Sequence, residues 1–484
     1  MNFVRKSIAA IRKQPFDKVA LAILCLLLFL YLIYAYLIDA FRSGVNIDAG
    51  YYMGVANLIY EGYLPYRDFE LGYTPLFFYV MQPFLALMGD CPNYTIYKLL
   101  QCLITFANAL LLGKLIIRMA KTSCIKAAFF SVVFLIFWYN LEGVQMVLEN
   151  LSVFFGLCSL LLVTDKRIRY NAVWAGIFAA FTFLAKQYGL VFFGSIGVYL
   201  LLSGTSWKEK AWICLLFVSG FIVTLVLFIG VFWLMGVEPT KLLEAISGGG
   251  YGQQTFYWYK LGVVKAVRLF PFLLFFPCLF FNLTKEEIAK IALCLTGLLL
   301  SSFQLYFNVF PHYYLFMLPF VFVLCTMIFE KMKALKGTRI LFLLFWGFLF
   351  TASALLLQNI WNTTKYLQKV DERETVTEIA THIKGVVKAH HVETTLCYWG
   401  TIEYYGLCSL TPPLKEKYGF SFGDETEESM SERLNHSDSF IVAESSYDYL
   451  KKEMEGLVTQ IENDFYIPKD GLSGDVMVFV RNGL

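Results

Sequence analysis

Apolar runs recur along the first three-quarters of the chain, each near the length a helix needs to cross a bilayer. They fall near 19–40, 98–118, 124–139, 146–164, 171–186, 189–203, 211–235, 264–282, 287–306, 313–330 and 339–360. One further run, 74–89, suits either a short span or a helix resting at the interface. After about Asn362 the pattern becomes charged and polar. There the alternation predicts a helix over Glu372–Val387, strands over Thr394–Tyr398 and Ser439–Ala443, a helix over Tyr447–Val458 and a strand over Asp475–Arg481. The expected architecture is an all-α polytopic membrane domain, 1–361, followed by a small soluble α/β domain, 362–484. No internal repeat of the transporter kind stands out.

Charge decides the role of 74–89. With that run not spanning and Arg5, Lys6, Arg12, Lys13 and Lys18 inside, nearly every short basic loop falls on the same inner side. Those loops carry Lys121 and Lys126, Lys166 to Arg169, Lys208 and Lys210, Lys285 and Lys290, and Lys331 to Arg339. Counting 74–89 as a span would put them all outside. Eleven spans are therefore expected, in the plasma (inner) membrane with a cytoplasmic N-terminus. The 41–97 segment, the turns at Tyr139–Met146, Gln187–Gly189 and Asn308–His312, the 236–262 loop and everything after about Asn362 then face outside.

Composition agrees. The 484 residues are 58% hydrophobic, 18% aromatic and only 16% charged, with a mean hydropathy of +0.59, which is the profile of a membrane protein. A net charge of +3 without a basic, aromatic-interleaved patch excludes nucleic acid as an expected partner. Most of the 11 cysteines sit in apolar runs and read as small hydrophobes. No zinc-type spacing occurs, while Cys397 and Cys408 lie in the polar region, where an oxidising compartment would let them pair. The first apolar run is too long for a signal-peptide core and reads as a retained anchor.

The candidate chemistry clusters in the outer segments. Asp48 follows the first run and precedes an amphipathic stretch with Tyr52, Val55 and Ile59 on one side, expected to lie flat at headgroup level. As a helix N-cap it would serve structure alone; as a general base it would take a proton from an acceptor hydroxyl. Asp68 and Glu70 lie further along the same loop, as metal or pKa partners of Asp48 or as solvated charges beside Arg67. Glu149 is expected roughly one turn or more inside an apolar run, where a charge needs a partner or water. Glu142 reads as a plain loop acid. Lys186 is the one clear basic residue that breaks the positive-inside trend, which fits either a lipid phosphate or snorkelling. His312 opens a span among tyrosines, as part of an aromatic belt or as a donor to a phosphate site. The glycine-rich 246–260 loop, with Tyr251, Gln253 and Tyr257, has the make-up of a substrate lid or of a mobile loop ending in a belt.

Several short motifs together resemble the GT-C superfamily of membrane glycosyltransferases, in particular the protein mannosyltransferase and aminoarabinose transferase branch. They are Asp48 in the first outer loop, the run from Ala56 to Asp68, Tyr73-Thr74-Pro75-Leu76, Leu148-Glu149-Asn150, Ala185-Lys186-Gln187 and Pro311-His312-Tyr313-Tyr314. The resemblance covers most of the membrane part, up to about 360, and Ala49 stands where members often carry a second acid. It implies transfer of a sugar, hexosyl or pentosyl, from a polyprenyl-phosphate donor to a cell-envelope acceptor (lipid, glycan or protein). Asp48 would be the catalytic base, and Lys186 and His312 would hold the donor phosphate. Glu149 and Asp68 would support the acceptor or a divalent metal, and Tyr251, Gln253 and Tyr257 would line a substrate loop. The rival readings are a flippase of lipid-linked sugars, which would place ionisable residues near the bilayer midplane, an oligosaccharide polymerase or ligase, and a scaffold whose outer domain binds a partner.

Overall fold

A computed structural model describes residues 16–484 except 70, 89–93, 146, 166–167, 204–205, 248–261, 267–269, 281–282, 307–309, 335–338, 369–372, 399–400, 414–425 and 470. Helices build the chain as far as Leu367. Among the described residues three, Lys18–Arg42, Tyr94–Ala120 and Trp207–Leu234, are long and apolar enough to cross a membrane. Leu26, Leu27 and Leu30 on the first and Leu215, Val226 and Leu227 on the third are exposed. Water would penalise such surfaces, whereas lipid tails accept them. The protein is therefore an integral membrane protein. Shorter apolar helices, Cys124–Asn140, Leu148–Val163, Ile168–Ala185, Leu190–Leu202, Lys285–Phe303 and Leu318–Ala334, complete the bundle, and Arg339–Leu367 follows.

The run expected as a span at 264–282 is not one continuous α-helix. Pro271–Phe280 is 3-10 helical and contains Pro277, whose missing N–H and ring disfavour the i→i−4 ladder. The ambiguous run becomes helix Leu76–Met88. Its 13 residues reach about 20 Å at 1.5 Å per residue, short of a hydrocarbon core of about 30 Å.

Helix Ile47–Tyr60 differs from the flat surface helix expected. Every residue from Ala49 to Leu58 is buried, on all faces. The reason is tertiary: Leu76–Met88 covers one side and helix Glu403–Cys408, from the far end of the chain, covers another.

The C-terminal region carries a five-stranded sheet in the order β1-β2-β5-β3, with β4 also on β5. β1 (Thr395–Cys397) runs parallel to β2 (Ser439–Ala443). β5 (Val476–Arg481) lies antiparallel to β2, Ile441 opposite Val478, and pairs with β3 (Phe465–Tyr466) and β4 (Leu472–Ser473). Every residue of β2 is buried, because helices cover both faces of the sheet. The expected 447–458 helix is instead two, Glu444–Glu453 and Glu455–Asp464, broken at Met454.

Two large cores result. One fills the helix bundle. The other runs without interruption from Tyr52 and Met53 of the first-loop helix to Tyr404, Ile441 and Val478 of the C-terminal region.

Candidate active site

Four chain turns meet at one end of the bundle. Asn46, not Asp48, caps the first-loop helix: its side chain accepts from Ala49 N at 2.8 Å. Asp48 therefore stands in the first helical turn and leaves the capping to its neighbour. The same Asn46 donates its amide to Gln145 in the turn after Cys124–Asn140.

That turn is the organising piece. Glu142 sits in it at φ +63°, a left-handed conformation costly for a side chain with a Cβ. Its carboxylate meets His312 Nδ1 at 3.0 Å, so the plain loop acid expected from the sequence is a site residue. Glu142–Gly143 carried a turn signal, but its partner lies 170 positions away. Gly143 O in turn accepts from Trp138 Nε1 at 3.1 Å and Asn150 Nδ2 at 2.9 Å. Asn150 thus anchors the start of the next helix, Leu148–Val163.

Glu149 lies in the first turn of that helix rather than a turn or more inside it, and is 1% exposed. There the positive end of the helix dipole favours its charge. Lys186 Nζ lies 3.3 Å from it, and both side chains are almost fully buried. Lys186 follows helix Ile168–Ala185 and stands 4.7 Å from the ring centroid of Tyr73 and 5.9 Å from that of Tyr188. A paired, caged lysine is not snorkelling to an interface.

His312 belongs to the 3-10 helix Pro311–Phe316, is 7% exposed and stacks on Phe310. Burial alone would lower its pKa. The Glu142 hydrogen bond, with Glu149 and Asp48 nearby, outweighs that and holds it above the ordinary 6.5. Burial pushes the Asp48 carboxyl above the usual carboxylate range. His312 and Lys186 pull it back, while Glu149 and Glu142 raise it. Asp48, Glu149, Lys186 and His312 thus form one electrostatic unit, with Glu142 as a fifth member.

Asp68 is engaged elsewhere. It takes a bidentate pair from Arg67, at 2.9 and 2.8 Å, and accepts from Leu64 N at 2.7 Å. Tyr251, Gln253 and Tyr257 lie outside the described residues, as does Glu70. Cys397 and Cys408 are both buried and are not joined in a disulfide. Among the described residues no group of three or more His, Cys, Asp or Glu is placed to hold a metal ion.

Sequence reading also missed a second buried pair. Lys98 Nζ meets Asp39 and, at 2.6 Å, Ser43 Oγ, tying the first span to Tyr94–Ala120. The signal was legible: Lys98, Gln101, Thr105 and Asn108 recur at helical spacing and all face the interior.

Beside the site, an apolar groove of about 680 Å³ runs between helices Leu76–Met88, Ile168–Ala185 and Trp207–Leu234. Leu76, Tyr79, Leu184, Phe228 and Phe232 line it, and Leu184 lies two residues before Lys186.

No family model and no curated protein matches the sequence. Solved structures do match in fold. The crystal structure of ArnT from Cupriavidus metallidurans bound to undecaprenyl phosphate aligns with 94% of this chain and 97% of its own, at a TM-score of 0.64 and 10% identity. The same protein in the apo state gives 0.62 at 12% identity over the same shares. The archaeal oligosaccharyltransferase AglB from Archaeoglobus fulgidus, in complex with an inhibitory peptide and a dolichol-phosphate, covers 97% of this chain and 74% of its own, at 0.54 and 11% identity. The fold is therefore the GT-C fold that the short motifs led one to expect.

Proposed function

We propose that the protein is a glycosyltransferase that moves a sugar from a polyprenyl-phosphate donor to a cell-envelope acceptor on the outer face of the membrane. The observation that carries this reading is the clustering of Asp48 with Lys186 and His312, both within electrostatic reach of its carboxyl, beside an apolar groove. A lipid-linked donor needs both halves of that arrangement. Its tail takes apolar surface, and its phosphate takes positive charge as it leaves. Undecaprenyl phosphate and dolichol-phosphate, bound by the structural neighbours, belong to this ligand class.

In the proposed reaction Asp48 accepts the proton of the acceptor hydroxyl, whose oxygen attacks the anomeric carbon. The bond from that carbon to the phosphate oxygen breaks, with inversion expected. Burial raises the proton affinity of Asp48, which suits a base better than an ordinary aspartate would. Lys186 and His312 stabilise charge growing on the phosphate, and Glu149, 3.3 Å from the Lys186 ammonium, holds it in place. Domains 1–361 and 362–484, eleven spans and an extracytoplasmic site complete the reading. Hexosyl or pentosyl transfer both fit it.

The test is Asp48→Asn. Transfer from a labelled polyprenyl-phosphate sugar in membranes should fall by about a hundredfold to ten-thousandfold while the protein is expressed normally. Near-normal turnover would end the assignment of Asp48 and the reaction with it.

A further inference from the structure

Helix Ile47–Tyr60 carries Asp48, and its position depends on chain more than three hundred residues away, at Gly406. Helix Glu403–Cys408 crosses it at a backbone-to-backbone approach that only glycine permits. A Cβ on Gly50, two residues after Asp48, would collide with Glu403 Cα. On Gly406 it would collide with Gly50 O and come within 2.6 Å of Met53 Cβ and 3.1 Å of Gly54 N. Asn57, buried in the same helix, donates to Gly406 O at 3.1 Å.

The crossing helix is itself fixed to the C-terminal sheet. Tyr405 OH accepts from Cys397 N at 2.9 Å and donates to Thr395 O at 3.1 Å, both on β1. Thr401 Oγ1 donates to Ile441 O on β2 at 3.0 Å. One apolar core runs from Met53 through Tyr404 to Val478. A rigid line of contacts therefore leads from the sheet, through Tyr405 and Gly406, to Gly50 and Asp48.

We propose that the C-terminal α/β unit is a positioning part of the catalytic centre, its Gly406 seated on Gly50 fixing where the Asp48 carboxyl stands. This rests on the glycosyl-transfer reading above. The unit touches no reacting atom; it acts through the helix that carries the base. Donor capture is separate, since Lys186, Glu149 and His312 stand on other elements.

The experiment compares Gly406→Ala with wild type and with Asp48→Asn, all full-length, in membranes supplied with a hexosyl undecaprenyl phosphate labelled in the sugar. Gly406→Ala should lower turnover per folded molecule by about tenfold to a hundredfold, the scale for a misplacement near 1 Å. Its affinity for undecaprenyl phosphate should stay within about twofold, since lost positioning lowers turnover without touching ground-state binding. The acid limb of its rate–pH profile should move, because His312, Lys186, Glu149 and Glu142 would all stand at new distances from Asp48. A merely structural contact would lower the yield of folded protein and leave turnover per folded molecule and the acid limb unchanged; that result overturns the proposal. Should Gly406→Ala fail to fold, Asn57→Ala decides. A several-fold loss of turnover at unchanged lipid affinity supports the proposal, and wild-type turnover with an unmoved acid limb overturns it. Asp48→Asn separates the two claims. If it is inactive and Gly406→Ala is normal, only the positioning role falls; if it is active, the transfer reading falls too.

Discussion

Burial raises the proton affinity of Asp48, His312 and Lys186 lower it, and Glu149 and Glu142 raise it again, four side chains that arrive on three other segments of the chain. Within that set the Glu142–His312 pair has a sign that can be checked. Folding raises the His312 pKa, so the pair's stabilisation is complete below the unfolded value and is lost as pH rises through the higher folded one. Glu142→Gln should therefore depress the melting temperature more at about pH 5.5 than at about pH 8.5. It should also move the alkaline limb of the transfer rate to lower pH and cost up to about a hundredfold in turnover at neutral pH. An alkaline limb that stays in place would show that His312 carries no catalytic charge. The Glu149–Lys186 pair is of another kind. With both side chains almost dry, removing either one strands the other charge. The oddness of Lys186 was visible in the loop charges, but Glu142 as its neighbour's partner was not. A carboxylate followed by glycine looks the same in any surface turn, and only its encounter with His312 sets it apart.

At the scale of elements, the entry to the first-loop helix does two jobs through one side chain. Asn46 accepts from Ala49 N and donates to Gln145, so the cap that ends the helix also ties it to the Glu142 turn. Asn46→Ala should cost about 1 kcal/mol of stability, the usual value of a cap, and a larger share of turnover than of stability. Thermal unfolding and a transfer assay on the same preparation would check both; equal, small effects would reduce Asn46 to a cap alone. Helix positions were readable from apolar runs: the expected 124–139 is Cys124–Asn140, and the expected Ser439–Ala443 strand is found with those bounds. The structure departs from a regular α-helix where Pro277 sits in the 3-10 stretch Pro271–Phe280, and it covers on all faces the 47–60 helix whose short amphipathic period predicts a surface position. Period reports which residues prefer burial, and has no means of reporting that every face will be covered.

Across the whole molecule, charge is sorted to opposite ends. Loops with the expected inner lysines are joined to one another, Lys121 to Glu286 at 3.0 Å and Lys331 to Glu287 at 3.1 Å. Asp48, Glu149, Lys186 and His312 occupy the other end. The sided reading predicts that Arg67→Cys, half-exposed in the first outer loop, reacts with a membrane-impermeant maleimide on intact cells. Lys121→Cys, exposed on the basic end, should react only after permeabilisation. The reverse pattern would leave the site facing the cytosol, away from the proposed donor.

Sequence alone was enough to read that the chain carries long apolar helices and an α/β tail, and to single out Asp48, Glu149, Lys186 and His312 as candidates. Those follow from side-chain chemistry and from spacing along one helix or strand, which are local quantities. The tertiary structure alone decided that Asn46 caps in place of Asp48, that Glu142 serves His312, and that Gly406 lies on Gly50. Each of these is a meeting of backbones or charges brought together across long stretches of chain, where no period or composition carries a trace of the partner.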